Sequence, residues 1–226
     1  MKLNPYQNRN SLEYKFRLKR FKHIRLLIEQ ILATKPSCRI LDVGGTEIYW
    51  DIGRDIVDSG RLKIDLLNLT ECEVINKNFH SISGDARDLS SFASNSYDLC
   101  HSNSVIEHVG NWLDMTAMAR EVRRLAPNYF VQVPYFWFPI EPHFRVPFFH
   151  WFPEQIRYQL LLRMNCGFHK RAETVSDAVT NIQSANLLDR RQFAALFPDA
   201  HIISEKVAFF TKSLMAIRTE DDITEH

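Results

Sequence analysis

Length, composition and charge narrow the classes to which this chain can belong. It has 226 residues, of which 45% are hydrophobic and 24% charged, and its formal net charge is +1. This length predicts one domain over residues 1–226, large enough to bury a hydrophobic core. A net charge near zero argues against a nucleic-acid partner. No apolar run reaches the ~18 residues that a membrane-spanning helix requires.

The first residues and the cysteines point to a reducing compartment. Residues 1–5 lead into charged residues instead of an apolar signal core, which argues against secretion and for the cytoplasm. The four cysteines form no CxxC pair, whereas disulfide frameworks and zinc sites use closely paired ligands. His143 and His150 also lack partners at a recognised ligand spacing, so the sequence predicts no metal site.

The N-terminal part of the chain, residues 1–36, is predicted to contain an amphipathic helix. Between residues 11 and 34, apolar residues recur at helical spacing, with basic residues largely on the opposite side. The basic side, which includes Arg17 and Arg20, could contact a membrane surface or attract an anionic acceptor, but such a charge run is more often a solvated face.

Five short apolar runs predict β strands, and helical stretches lie between them. The runs cover residues 38–43, 62–69, 79–86, 97–101 and 129–133. Such alternation predicts parallel pairing through right-handed crossovers, and therefore an open, doubly wound α/β sheet. A terminal pair of strands is expected at residues 201–207 and 210–217.

Residues 136–185 break this alternation and form an insertion after the fifth strand. Its first part, residues 136–153, is dense in aromatic residues and prolines. This composition is compatible with three roles: a lid with an apolar acceptor pocket, an interface between two copies of the chain, or a surface that rests on a membrane.

Polar residues or glycines follow four of the predicted strands. Gly44 and Gly45 follow the first strand, Asn68 lies at the end of the second, Asp85 at the end of the third, and residues 102–104 after the fourth. Ligands of open α/β sheets bind beyond the carboxyl ends of the strands. These residues are therefore expected to line one site.

The turn after the first strand distinguishes between cofactors. Gly44 and Gly45 are followed by Thr-Glu-Ile-Tyr-Trp, so the later glycines of a dinucleotide GxGxxG turn and the lysine of a P-loop are absent. Glu47 places a negative charge where a phosphate would bind. The turn therefore favours a cofactor with an amino-acid tail and a nucleoside but no phosphate, and it disfavours an NAD-dependent oxidoreductase.

Three segments carry a resemblance to a known family: ILDVGGT at 40–46, SGDA at 83–86 and YDLCHSNSVIEHV at 97–109. In their order and spacing, the chain resembles the class I S-adenosylmethionine-dependent methyltransferases of the type 11 group. The segments YFVQVP at 129–134 and FPIEPHF at 138–144 resemble a bacterial subgroup. The resemblance implies one methyltransferase domain with a Rossmann-like, mostly parallel sheet and an antiparallel last strand.

The resemblance also implies S-adenosylmethionine as the cofactor and assigns residues to it. Asp42 and Gly44 would face the methionine part, and Gly45 would keep the turn slim. Asn68 would reach the ribose hydroxyls, with Asp65 as the alternative. The other cofactor residues would be Asp85 at the adenine amino group, Ala86 against the ring, and Ser102 and Asn103 at the edge of the pocket.

Methyl transfer to a hydroxyl requires a group that removes the hydroxyl proton. Histidine suits this role near neutral pH, and the candidates are His108, His143, His150 and Glu141. His143 lies in the insertion and His108 follows the fourth strand, so the catalytic residue is expected to be one of these two. Residues 104–107 also match a capping box, in which the glutamate would only bond the start of a helix.

The expected activity is therefore S-adenosylmethionine-dependent O-methylation. The subgroup is associated with bacterial polysaccharide and glycolipid assembly, so the expected acceptor is a saccharide, a lipid-linked saccharide or another small molecule. A contrasting hypothesis is a catalytically inactive module that binds the cofactor and regulates or scaffolds other proteins.

Overall fold

The structure, a computed structural model, describes residues 8–224, so residues 1–5 and the expectation about a signal segment lie outside it. Its sheet has the strand order β3-β2-β1-β4-β5-β7-β6. The strands are β1 (Cys38–Val43), β2 (Leu62–Asn68), β3 (Phe79–Ser83), β4 (Leu99–Asn103), β5 (Asn128–Pro134), β6 (His201–Val207) and β7 (Phe210–Arg218). Strands β1 to β5 pair in parallel, whereas β7 is antiparallel to both of its neighbours. The predicted Rossmann-like, doubly wound α/β fold is confirmed.

Helices cover both faces of this sheet. They are α1 (Leu12–Thr34), α2 (Arg54–Val57), α3 (Trp112–Leu125), α4 (Glu154–Arg163), α5 (Val175–Gln183), α6 (Arg190–Leu196) and α7 (Asp221–Thr224). Short 3₁₀ segments cover Glu47–Gly53, Ile106–His108 and Phe149–Trp151. Between residues 8 and 224, no helix is both long enough and apolar enough to cross a membrane.

The core lies on both sides of the sheet, because successive residues of a strand point to opposite faces. Ile40 of β1 packs on one face in a cluster with Phe21 and Ile24 of α1. Its neighbour Leu41 packs on the other face in a cluster that includes Met118 of α3. Strands that are buried on both faces have continuous apolar sequences, which is why these runs were recognisable.

The basic side of α1 is not solvated throughout. Arg20 is buried, and its Nη1 donates to Asn103 Oδ1 at 2.8 Å and to Gln132 Oε1 at 2.6 Å. Its Nε lies 3.5 Å from Glu205 Oε1. These acceptors come from β4, β5 and β6, so the expectation of a solvated Arg20 was wrong. The hydrogen bonds and the carboxylate compensate the buried guanidinium.

The insertion folds around a small cluster of its own. Buried Phe144, Phe149 and Leu161 pack together with Ala178 and Ile182 of α5, and α4 lies against α5. Helix α5 was not predicted, although Val175, Ala178, Val179 and Ile182 recur at helical spacing. A capping box between Thr174 and Asp177, which starts the helix, was a second signal in the sequence.

Candidate active site

Two adjoining cavities lie at the carboxyl ends of the parallel strands. The first, here called the rim cavity, has a volume of about 450 Å³ and includes Gly44, Asn68, Asp85, Ala86, Val105 and His108 among its lining residues. The second, the turn cavity, has a volume of about 330 Å³ and includes Arg17, Arg20, Asp42, Gly44, Gly45, His101 and Asn103. Gly44 borders both cavities, so most of the predicted cofactor residues come together around one turn.

The two glycines of the turn leave no room for side chains. Gly44 has φ +70°, and a Cβ atom there would lie 2.4 Å from Cγ2 of Val105. A Cβ atom at Gly45 would lie 1.8 Å from Oδ2 of Asp42. The turn is therefore a slim stretch of backbone that a ligand can approach closely.

The carboxylate of Asp42 lies against the glycine turn and is held there by two other side chains. Its Oδ2 accepts a hydrogen bond from Trp50 Nε1 at 2.8 Å, and its Oδ1 lies 2.6 Å from His101 Nδ1. Asp42 and His101 are both buried, and the His101 ring stacks on Tyr49 and Phe130. Both carboxylate oxygens of Asp42 are thus bonded within the protein, although the residue borders the turn cavity.

The two candidates for the ribose lie in different surroundings. Asn68 lines the rim cavity, and its amide donates to the Gly45 carbonyl at 3.0 Å. Asp65 lies in the middle of β2, where it accepts from Tyr97 at 2.8 Å and from Arg39 at 3.0 Å. Of the two, Asn68 is the residue at the cavity.

Asp85 and Ala86 follow β3 and line the rim cavity. The Asp85 carboxylate receives hydrogen bonds from the Arg87 guanidinium at distances down to 2.6 Å, and these bonds hold the pKa of Asp85 below its ordinary value. Arg87 also pairs with Asp114 at 3.2 Å. A ligand that used Asp85 as an acceptor would share this carboxylate with Arg87.

Ser102 and Asn103 were expected to follow the fourth strand, but they lie within it, because strand β4 continues to Asn103. Ser102 is buried, and its hydroxyl has no hydrogen-bond partner among residues 8–224. Asn103 borders the turn cavity and accepts from Arg20.

The two predicted catalytic histidines contact each other, and one of them, His108, lines the rim cavity. Nε2 of His143 lies 3.1 Å from Nε2 of His108. Nδ1 of His143 is 2.5 Å from Oε1 of the buried Glu141, and Nδ1 of His108 is 2.8 Å from the Ser184 carbonyl. Through His143, the insertion thus contacts a residue that lines the rim cavity.

Their surroundings shift the pKa values of His108 and His143 in opposite directions. Partial burial lowers the pKa of His108. Burial also acts to lower the pKa of His143, but the hydrogen bond and charge of Glu141 outweigh it and raise that pKa. His150, another candidate, lies apart from the pair and has its Nε2 2.6 Å from the Phe136 carbonyl.

The capping box expected at residues 104–107 was wrong. Ser104 has φ 58°, and its hydroxyl donates to Gln132 Oε1 at 2.9 Å. The following residues form only a 3₁₀ turn, and α3 begins later with a capping box between Asn111 and Asp114. Glu107 is fully buried, and burial raises its pKa to about 7.

A third cavity, the acceptor groove, adjoins the turn cavity at Arg20 and Ser104. It has a volume of about 430 Å³, and its lining includes Glu13, Gln132, Tyr135, Phe138, Ile140, Arg145, Glu205 and Lys212. These residues come from α1, the end of β5, the insertion and the last strands. The sequence analysis did not identify Arg20, Gln132, Glu205 or Lys212 as site residues, because contacts distant in sequence bring them together.

Comparison with known proteins finds a methyltransferase-domain match over part of the chain. Residues 41–128 match the family model described as a methyltransferase domain, whereas comparison with curated proteins gave no match. The fold is similar to the CurJ carbon methyltransferase (TM-score 0.53, 12% identity, covering 88% of this chain and 54% of that one). It is also similar to the trans-methyltransferase CalH in complex with SAH (0.52, 12%, 94% and 60%).

An O-methyltransferase family protein from Burkholderia thailandensis gives a TM-score of 0.48 at 11% identity, covering 88% of this chain and 56% of that one. The chain therefore spans little more than half the length of these structures, and at 12% identity CurJ and CalH show a shared fold. Residues 41–128 thus match a methyltransferase domain, and the chain has the fold of the class I S-adenosylmethionine-dependent methyltransferases.

Proposed function

We propose that the chain transfers the methyl group of S-adenosylmethionine to a hydroxyl oxygen of a small-molecule acceptor. The observation that carries this proposal is the contact of His143 with His108, which lines the rim cavity, and with Glu141 on the other side of the His143 ring. A base at this place is what methylation of a hydroxyl needs, because the hydroxyl proton must be removed as the new bond forms.

The cavities at the turn suit the cofactor. The methionine part is proposed to lie in the turn cavity, where Arg17 and Arg20 would attract its carboxylate. The nucleoside is proposed to lie in the rim cavity, with Asn68 at the ribose and Asp85 and Ala86 at the adenine. The slim Gly44–Gly45 turn, in which a Cβ atom would fill the cradle, supports close contact between backbone and cofactor.

The proton acceptor is proposed to be Nε2 of His143. When bound, S-adenosylmethionine supplies a methyl group on a positively charged sulfur, which needs no further activation. Glu141 keeps Nδ1 of His143 protonated and leaves Nε2 able to accept the hydroxyl proton. Nε2 of His108, 3.1 Å away, then shares that proton. The remaining contribution of the protein is alignment and exclusion of water.

The acceptor is proposed to be a saccharide, free or lipid-linked. The acceptor groove combines polar side chains, among them Gln132, Arg145 and Lys212, with the apolar surfaces of Tyr135 and Phe138. A sugar ring presents hydroxyls at its edge and C–H groups on its faces, so it complements both kinds of surface.

The lipid-linked form of the acceptor is supported by exposed aromatic side chains of the insertion, namely Trp137, Phe148, Trp151 and Phe152. Such residues suit peripheral contact with a lipid surface. Flotation with lipid vesicles tests this contact, and size-exclusion chromatography tests for a homodimer that would cover the same residues. The four free cysteines suit the reducing conditions of a cytoplasmic protein.

The activity is tested by measuring SAH formation from S-adenosylmethionine against a panel of sugars, phenols and lipid-linked sugars. His143→Gln is expected to lower turnover by about 10²- to 10⁴-fold and to leave cofactor affinity unchanged. His80→Gln, which alters an exposed histidine on β3, serves as the matched control. Cofactor binding without turnover on any acceptor, and with no effect of His143→Gln, would favour the inactive binding module.

A further inference from the structure

Three side chains of the active site bring potential metal ligands together. One carboxylate oxygen of Glu107 and one ring nitrogen each of His108 and His143 all lie within 4.8 Å of one another. Glu107 and His108 come from the 3₁₀ turn after β4 and His143 from the insertion, with 35 residues between the two histidines. That separation explains why no ligand spacing was visible in the sequence.

The hydrogen bonds of the two histidines leave their Nε2 lone pairs facing each other. Nδ1 of His143 faces the Glu141 carboxylate at 2.5 Å, and Nδ1 of His108 faces the Ser184 carbonyl at 2.8 Å. Both neighbours are acceptors, so both Nδ1 atoms must carry the hydrogen. The two Nε2 atoms, 3.1 Å apart, then repel unless a proton or a metal ion lies between them.

Glu107 gives a second, independent indication of a ligand. Its side chain is fully buried, and neither carboxylate oxygen has a hydrogen-bond partner in another residue between 8 and 224. Burying a carboxylate without a donor or a cation is costly, and buried polar atoms without partners call for a specific explanation. A cation held jointly with the two histidines would provide one.

We propose that Glu107, His108 and His143 form a binding site for a divalent transition-metal ion of the zinc class. Two imidazoles and one carboxylate are a ligand set that such ions favour, and three protein ligands leave positions open for other ligands. Acceptors at the Nδ1 atoms of ligating histidines, here Glu141 and Ser184, are the usual outer partners of such sites.

The spacing of the nitrogen atoms agrees with this assignment. Two nitrogens at about 2.0–2.1 Å from a tetrahedral zinc ion are about 3.3 Å apart, close to the 3.1 Å between the Nε2 atoms. His143 is partly exposed and His108 exposed, so an ion can reach the pair from solvent while Glu107 supplies the buried ligand.

Metal binding would have a consequence for catalysis, and this consequence rests on the proposed function. The ion would occupy the same Nε2 atom of His143 that is proposed to accept the acceptor proton. The metal-bound and proton-accepting states of the pair therefore exclude each other. Zinc is expected to inhibit methyl transfer, and a chelator is expected to restore it.

The site is tested by titrating the full chain, first freed of metal with a chelator, with Zn²⁺ in competition with a chromogenic chelator. We expect one Zn²⁺ ion to bind tightly to each chain, and X-ray absorption spectroscopy should detect two imidazole ligands. His108→Gln and His143→Gln are each expected to lower the affinity for Zn²⁺. The loss should exceed the 10- to 100-fold that removal of an outer hydrogen-bond partner of a ligand typically causes. Glu107→Gln should lower the affinity as well, and circular dichroism checks that each variant is folded.

The control His80→Gln should bind zinc as the unmodified chain does. Absence of tight Zn²⁺ binding by the unmodified chain, or unchanged affinity in folded His143→Gln, would overturn the metal site. Calorimetric titration of His143→Gln with S-adenosylmethionine is a separate readout, because His143 is not among the residues that line the two cavities proposed for the cofactor. Zinc binding with undiminished methyl transfer would support the metal site and remove His143 from the proposed function.

Discussion

Asp42 and His101 are directly opposite each other on the adjacent parallel strands β1 and β4, and Oδ1 of Asp42 lies 2.6 Å from Nδ1 of His101. The second oxygen of Asp42 accepts from Trp50 at 2.8 Å. The carboxylate therefore ties the sheet to the 3₁₀ segment that follows the glycine turn. Its position directly beneath Gly45 makes it a support for the glycine turn at which the cofactor is proposed to bind.

Replacing this carboxylate by an amide is expected to destabilise the fold. Asp42→Asn has one acceptor oxygen for two buried donors, so one donor loses its partner. The expected loss is about 1–3 kcal/mol of unfolding free energy, measured by urea denaturation. In a Trp50→Phe background one donor is already absent, and the same substitution should cost less. Equal losses in both backgrounds would contradict this explanation.

Gly44 and Gly60 provide a matched pair for testing the turn. They have φ values of +70° and +73°, but an added Cβ atom would lie 2.4 Å from Val105 at Gly44 and would meet nothing within 4 Å at Gly60. Both alanine variants incur the cost of a left-handed conformation, about 1–2 kcal/mol. Only Gly44→Ala displaces a side chain that lines the rim cavity.

Gly44→Ala is therefore expected to abolish measurable S-adenosylmethionine binding in isothermal titration calorimetry, whereas Gly60→Ala should bind as the unmodified chain does. A similar loss of affinity in both variants would mean that backbone strain, and not the approach to the cofactor, explains the effect.

The fold was predictable because its central strands β1, β2, β4 and β5 are buried on both faces, although no helix separates β2 from β3 or β3 from β4 in the described chain. Leu41 and Ile40 contribute to opposite cores, so the strand appears in the sequence as an uninterrupted apolar run. The same pattern also predicted where the strands end. It therefore predicted that Gly44, Asn68 and Asp85 lie around one cavity.

Residues whose roles depend on distant contacts could not be predicted in the same way. Arg20 resembles its exposed basic neighbours on α1, and only the fold shows that Gln132, 112 residues away, binds its guanidinium. Residues 104–107 have the sequence of a helix cap, but the Ser104 hydroxyl donates its hydrogen bond to the same Gln132. Local patterns carry no information about a partner supplied by another strand.

Asp85 offers a test of the adenine assignment. Asp85→Ala removes an acceptor at the rim cavity and is expected to weaken S-adenosylmethionine binding by about 1–3 kcal/mol. Asp88→Ala is the matched control, because Asp88 lies on the same turn with its carboxylate bonded to the Ser90 amide. Calorimetric titration of both variants checks this prediction, and unchanged affinity in Asp85→Ala would rule out the adenine contact.

Asp199 should make the stability of the fold depend on pH. Burial raises the pKa of Asp199, but hydrogen bonds from Tyr129, Arg218 and Arg123 outweigh burial and hold that pKa below its ordinary value. A carboxyl with a lower pKa in the folded state stabilises the fold fully above the unfolded pKa of about 3.9. This contribution is lost as the pH falls through the folded pKa.

Asp199→Asn is accordingly expected to lower the unfolding free energy at neutral pH and to flatten its decline below about pH 4. Urea denaturation at a series of pH values measures both effects. Asp51→Asn is the control, since Asp51 is exposed and its nearest arginine nitrogen is 3.8 Å away; it should leave the pH dependence as it is. A decline of equal steepness in Asp199→Asn would assign the acid sensitivity to other carboxylates, because the neutral amide cannot take up the proton that Asp199 binds on acidification.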